Sequence, residues 1–226
     1  MLPYPPNFVS FKNRIQNSLK FENQTLHTIK IAKHANVYTC GDKDEHIYFI
    51  EKGQVKLLIT SPGGNQCLLA IYTTGDVFGE ICLAGSGERM ETVIAMQDSL
   101  IRRIPCSNFF LYLKSDLLLE DFVRYLTMRI ADQQDIITDL VTADSEYRLG
   151  KTLLILARKL GEPDPRSIII KHKITHEELS EMVGTTRPRI SEFMRRFRER
   201  NLIEISSDRY IIVKEKNLTN YLNQLS

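Results

Sequence analysis

Two stretches of the chain group side chains in patterns that carry chemistry. The first is TTRPRISEFMRRFRERN, residues 185–201, in which six arginines and two glutamates are threaded through Ile190, Phe193, Met194 and Phe197. The apolar residues recur at helical spacing, so they form one face of a helix and leave the arginines on the others. A charged face of this kind is either solvated or laid against a polyanion. The second stretch is Gly79-Glu80 with Arg89 a few residues on, a carboxylate and a guanidinium on one glycine-rich loop. Glu80 can accept from a hydroxyl such as a ribose OH, and Arg89 can pair with a phosphate. Backbone N–H groups around Gly85 and Gly87 can add donors. The same two residues can instead pair with each other and hold the loop shut.

The elements around the arginine-rich stretch choose between its two readings. Thr175-His176-Glu177-Glu178 is a capping box: the threonine hydroxyl accepts from an early helical N–H while Glu178 reaches back. Leu179, Met182 and Val183 supply the inner face of that helix, and Gly184 suits a tight turn after it. Thr186 caps a second helix, with Pro188 tolerated in its first turn. LIEISSDRYIIV then forms two alternating runs around Ser206-Ser207-Asp208, a hairpin or wing. The order helix, turn, basic helix, hairpin predicts a winged helix-turn-helix. Ile190, Phe193, Met194 and Phe197 then fasten the second helix to its domain. Arg187, Arg189 and Ser191 lie near its N-terminus, where recognition helices touch base edges. Arg195, Arg196, Arg198 and Arg200 lie further along, where phosphate contact or solvation is expected, with Arg195 the candidate for phosphate.

Upstream, the runs HIYFI, QVKLLIT, QCLLAIY, ETVIAM and SLIRRI alternate with glycine-rich turns. Short β-branched and aromatic segments at this spacing predict an all-β roll from about residue 29 to 105. Pro62-Gly63-Gly64-Asn65 is read as a hairpin turn. Residues 8–20 are a candidate short helix. From 108 to 146 glycine is absent, and Val123, Leu126, Ile130, Gln133, Ile137, Leu140 and Asp144 are spaced alternately by three and four. That is a heptad seam, which predicts a long helix pairing with its copy in a symmetric dimer through Val123, Leu126, Ile130, Ile137 and Leu140. Gln133 interrupts the seam, either to fix register or to face a ligand. A helix YRLGKTLLILARKL ending at Gly161 and a strand RSIIIKH follow. The expected fold class is α+β: an N-terminal jelly roll of the double-stranded β-helix type as sensor over 1–115, a dimerisation helix over 116–146, and a winged helix-turn-helix over 147–226.

Charge is distributed to match. Residues 1–147 hold 14 Lys/Arg and 18 Asp/Glu, and residues 148–226 hold 16 and 10, so balances of −4 and +6 make up the net +2. A basic C-terminal part points to an anionic partner. Cys40, Cys67, Cys82 and Cys106 form no C-x-x-C pair and no Cys/His zinc spacing, so they are expected to be reduced thiols, with no metal. The segment MLPYPPNF lacks a basic n-region followed by an apolar run, and no run is long enough to span a bilayer. A cytoplasmic protein, without membrane association, is expected. An enzyme is not: a cupin-like metal centre would need more ligands than His46 and Glu51 of HIYFIEKG supply, and no nucleophile–base set stands out.

FGEICLAGSGERMETV (78–93), the heptad helix and ITHEELSEMVGTTRPRIS (174–191), in this order, resemble the CRP/FNR family of bacterial transcription regulators. The similarity runs over roughly residues 25 to 215. It implies a roll that senses a small molecule, a dimer formed through the long helix, and two C-terminal domains that read a palindromic double-stranded DNA site and contact RNA polymerase. It also makes Gly79, Glu80 and Arg89 the effector-binding candidates, with Gln133 and Gln134 at the positions of a purine-contacting hydroxyl pair, and Thr175, Thr186 and Arg209 additional phosphate-contact candidates. The chain departs from the cyclic-AMP sensors of that family. They carry a small hydroxyl residue after the arginine and then a small residue, where this chain has Met90 and Glu91. A methionine cannot donate to a phosphate and a carboxylate repels one, so an effector other than cyclic AMP, or a roll with no ligand at all, is expected. The iron–sulfur members carry N-terminal cysteines, absent here before Cys40. Pro188 and Glu192 stand where the well-known members have an acid and an arginine, so no known operator is carried over.

Overall fold

The structure, a computed structural model, describes residues 11–12, 14–16, 27–64, 66–85, 87–115 and 118–225. The chain divides into two compact units, Met1–Asp132 and Gln133–Ser226. The first holds strands β1 (His27–Ile31), β2 (Asn36–Tyr38), β3 (His46–Lys52), β4 (Gln54–Thr60), β5 (Gln66–Thr73), β6 (Val77–Phe78), β7 (Thr92–Ala95) and β8 (Ser99–Pro105), with a 3-10 helix Glu80–Ala84 between β6 and β7. They form two antiparallel four-stranded sheets, in the orders β1-β8-β3-β6 and β2-β7-β4-β5.

The period of two along a strand explains why β3 is buried on both faces. Tyr48 and Ile50 enter the interior of the roll with Tyr38, Val55, Leu57, Tyr72, Phe78, Val93 and Ile101. Ile47 and Phe49 point the other way, into a second core with Ile104, Phe109, Leu113, Phe122 and Tyr125. That second core is closed by helices α1 (Cys106–Ser115) and α2 (Leu119–Thr142). Of the expected helix over 8–20, residues 11, 12 and 14–16 are helical and bury Phe11 and Ile15 there; the rest lies outside the described residues. Gly53 joins β3 to β4 at φ 113°, and a Cβ there would lie 2.6 Å from Ser99 Cβ, so the turn requires glycine. The β4–β5 turn closes with Gly64 N–H donating to Ser61 O at 2.9 Å, where the hairpin was expected; Asn65 is outside the described residues.

The thiols do not all behave as expected. Cys82, in the 3-10 helix, and Cys106, the first residue of α1, are joined in a disulfide, while Cys40 and Cys67 are exposed and form no disulfide. A sequence separation of 24 carries no pairing signal; the roll brings the two together.

Helix α2 runs across the boundary between the units. Val123, Ile130, Ile137 and Leu140 of the seam are exposed, as are Leu119, Ile136 and Val141, the last by 80%. Leu126 is partly buried against the second core of the roll. The seam is shorter than its spacing suggested: α2 stops at Thr142, and Asp144 caps the next helix by accepting from Glu146 N and Tyr147 N at 2.9 and 2.8 Å.

The second unit holds α3 (Ser145–Leu160), β9 (Gly161–Asp164), β10 (Ser167–Ile170), α4 (His176–Val183), α5 (Arg187–Glu199), β11 (Ile203–Ile205), β12 (Ile211–Val213) and α6 (Glu215–Leu225). The wing hairpin β11–β12 joins β10 and β9 in one antiparallel sheet, so the strand expected over 166–172 is shorter and paired with a neighbour the sequence reading missed. Gly161 does end α3, but with extended backbone (φ −91°), and it opens β9 directly. Leu149, Leu153, Ile170, Leu179, Ile190, Phe197, Ile203, Val213 and Leu218 are fully buried and draw α3, β10, α4, α5, β11, β12 and α6 into the core of this unit.

Candidate nucleic-acid interface and effector site

In the second unit, α4 begins with the expected capping box. Thr175 Oγ1 accepts from Glu178 N at 3.1 Å and Thr175 N donates to Glu178 Oε2 at 3.0 Å. Gly184 ends α4 in the left-handed region (φ 66°) with its N–H on Ser180 O. Thr186 takes the N-cap position of α5 with Pro188 in the first turn, but its hydroxyl makes no cap bond, contrary to expectation. Arg148 stitches the turn from below, donating to Val183 O at 2.9 Å and Ala143 O at 2.7 Å.

This framework presents the first turn of α5 outward. Thr186, Arg187, Pro188 and Arg189 are all exposed, while Ile190, Phe193, Met194 and Phe197 are buried behind them. Ser191 is exposed but already engaged: His176 Nδ1 lies 2.8 Å from its Oγ, which also donates to Arg187 O at 3.1 Å. Burial, and then the positive field of Arg187 and Arg198, hold His176 below the ordinary histidine pKa. The later arginines differ in role. Arg195 pairs with Glu199 on the surface. Arg196 leans on Phe193 and donates to Glu146 Oε2 at 2.6 Å, with Tyr221 on the other oxygen at 2.8 Å, so it fastens α5 to α3 and α6. Arg200 lies over the Tyr221 ring. Arg209, exposed at the tip of the wing, has φ 65°.

In the first unit, Glu80 and Arg89 each find a partner of their own. They do not pair with each other, and Arg89 is 2% exposed. Its Nε and Nη2 donate to Asp44 Oδ2 at 3.2 and 2.7 Å, its Nη1 to Gly79 O at 2.7 Å, and its Nη2 also to His46 O. Its guanidinium carbon sits 4.3 Å from the centre of the Tyr38 ring. Gly79 is fixed by this arrangement: it has φ 82°, and a Cβ would lie 3.0 Å from Arg89 Nη1 and 3.1 Å from Tyr48. Asp44 further accepts from Tyr48 Oη at 2.6 Å and Arg103 at 3.1 Å and lies 2.7 Å from His46 Nδ1. Burial by itself would raise the Asp44 carboxyl, but the hydrogen bonds from Tyr48 and Arg89 outweigh it and hold the group well below the usual carboxylate range.

Glu80 pairs instead with Arg129 of α2 at 2.8 Å, and Arg129 also bonds the Tyr72 hydroxyl and stands 4.9 Å from that ring's centre. Met90 points out, 63% exposed, and Glu91 points in, 2% exposed, accepting from Tyr38 Oη at 2.8 Å. Burial, then Glu91, pushes the Tyr38 hydroxyl pKa up. Asp44, Arg129 and the tyrosines were not legible as site residues, because they join the cassette from 45 residues before Arg89 and 49 after Glu80 with no motif spacing. Gln133 and Gln134 are exposed on α2, in the second unit. Among the described residues no group of three or more His, Cys, Asp or Glu can hold a metal, and no helix is long and apolar enough to cross a membrane.

Comparison with known proteins agrees with both halves. Residues 28–116 match the cyclic nucleotide-binding domain family and residues 147–221 the Crp-like helix-turn-helix domain family. A global nitrogen regulator of Synechocystis sp. is 30% identical over 181 residues, covering 78% of this chain and 80% of its own. A CRP-like cAMP-activated global transcriptional regulator of Mycobacterium tuberculosis is 24% identical, covering 85% and 87%. Among solved structures, a mutant of CooA from Carboxydothermus hydrogenoformans superposes with a TM-score of 0.73 at 23% identity, over 87% of this chain and 88% of its own. A Thermus thermophilus CRP/FNR-family regulator gives 0.72 at 22%, over 88% and 100%. The roll, the long helix, the winged helix-turn-helix and these relatives together establish that the chain belongs to the CRP/FNR family of DNA-binding transcription regulators.

Proposed function

We propose that the protein acts as a homodimer that reads a palindromic duplex through two copies of α5 and is controlled by a small effector in the roll. The observation that carries the reading is the first turn of α5: exposed Arg187 and Arg189 on a helix whose other face is fully buried. Arginines so placed bond guanine O6 and N7 together. Ser191, held by His176, is a third reader, and Thr175, Thr186, Arg195 and Arg209 take phosphates. The exposed apolar face of α2, from Leu119 to Val141, supports pairing with a second copy, because a lone helix does not leave such a stripe in water. Contact with RNA polymerase and a cytoplasmic location follow the habit of the family. Domain limits at 1–115, 116–146 and 147–226 complete the proposal.

Cyclic AMP, which activates some relatives by their names, suits this roll poorly. Arg89 already donates to Asp44, Gly79 and His46, and the buried carboxylate of Glu91, two residues on, would repel a phosphate. Selection of bound duplexes from a random library, followed by affinity measurement on the enriched site, tests the DNA reading. An enriched two-fold symmetric motif is expected; enrichment of no motif would contradict it.

A further inference from the structure

Buried polar groups are almost always bonded, and each exception calls for an explanation, a bound partner among them. Among the described residues, the buried polar atoms left without a partner include Glu80 Oε2, Glu91 Oε2 and Arg129 Nη1. These three belong to one cluster. Glu80 and Arg129 are paired with each other, Arg129 bonds the Tyr72 hydroxyl, Glu91 bonds Tyr38, and the rings of Tyr38 and Tyr72 both lie against Phe78. Tyr38 and Tyr72 both lie in the core inside the roll. Glu91 is 2% exposed, and the side chains of Glu80 and Arg129 are 18% and 16% exposed. The cluster therefore offers two carboxylate acceptors and one guanidinium donor. The cation that a phosphate would use, Arg89, is neutralised by Asp44 and donates to two backbone carbonyls.

From this geometry we infer that the roll of this chain takes a phosphate-free amine or amide, whose N–H groups bond Glu91 and Glu80 and whose carbonyl or carboxylate oxygen bonds Arg129. Amino acids and their amides are the class with this pairing of groups. The inference rests on the reading of the roll as an effector site and departs from a nucleotide effector. Asp44 is the bolt that removes Arg89 from ligand binding, and Glu91 is the group that selects donors over anions.

The test uses the full-length protein. Thermal shift and calorimetry are run against the common amino acids and their amides, and against cyclic AMP and cyclic GMP. At least one phosphate-free member is expected to bind, and Glu91→Gln is expected to weaken it about ten- to a hundredfold, the loss of a hydrogen bond to a charged group. The same substitution removes a charge that repels phosphate, so Glu91→Gln combined with Asp44→Asn should bind cyclic AMP more tightly than the wild type does. Should Glu91→Gln not fold, Arg129→Lys keeps the pair with Glu80, removes a donor, and should weaken the same ligand. Tight binding of a cyclic nucleotide by the wild type, unimproved by these substitutions, would overturn the inference and leave the effector reading standing. Silence across the whole panel would overturn both, and a roll without a ligand would remain.

Discussion

At the scale of residues, Asp44 and Arg89 are the pair on which the roll turns. Their side chains are 6% and 1% exposed, so removing one leaves the other buried and uncompensated. Asp44→Ala should cost about 3–5 kcal/mol, read from chemical denaturation at neutral pH. The carboxyl of Asp44 titrates below its value in the unfolded chain. Its contribution is therefore complete above the ordinary carboxylate pKa near ~4 and fades as pH falls below it. The stability gap between wild type and Asp44→Asn should accordingly narrow from neutral to acid pH; a gap that is constant with pH would contradict the assignment. Arg89 and Glu80 show the limit of reading a cassette by spacing. The sequence places them on one loop, but which charge each faces is settled by Asp44 and Arg129, which the fold alone brings to them.

At the scale of elements, the local signals were strong where the chemistry is local. The capping box at Thr175, the left-handed Gly184 and the alternation in QVKLLIT each follow from neighbouring residues, and the elements stand where those signals put them. Thr175→Ala should destabilise the second unit by about 0.5–2 kcal/mol; no loss of melting temperature would show the cap to be idle. Tertiary effects were invisible. Helix α6 passed unnoticed although Leu218 and Leu222 are buried one turn apart, because its eleven residues are too few to announce a helix without the surface of α3 beneath it. The heptad spacing runs two residues past the end of α2, since Asp144 fits the seam by number but serves as a cap. The exposed stripe of α2 carries its own prediction. Ile137→Asp places a charge on each side of the proposed dimer axis, and light scattering should show a monomer with undiminished helix content. A dimer that persists would place the interface elsewhere.

At the scale of the whole molecule, a slightly acidic sensor half and a basic reading half account for the division of charge along the chain. Binding to a duplex should weaken steeply with salt, and Arg195→Ala should lower that slope by about one, as the loss of one phosphate contact does. A true effector at a hundred times its dissociation constant should add about 2.7 kcal/mol to the stability of the protein, and its effect on DNA affinity must be matched by an equal effect of DNA on effector affinity.

The central claim is that the first turn of α5 reads base edges. Its most direct test is the affinity of wild type and Arg187→Ala for the selected site and for each of its single-base variants. A loss of about 1–3 kcal/mol on the selected site and relaxed discrimination at one base pair in each half-site are expected. A uniform loss across all sequences, or none, would contradict the claim.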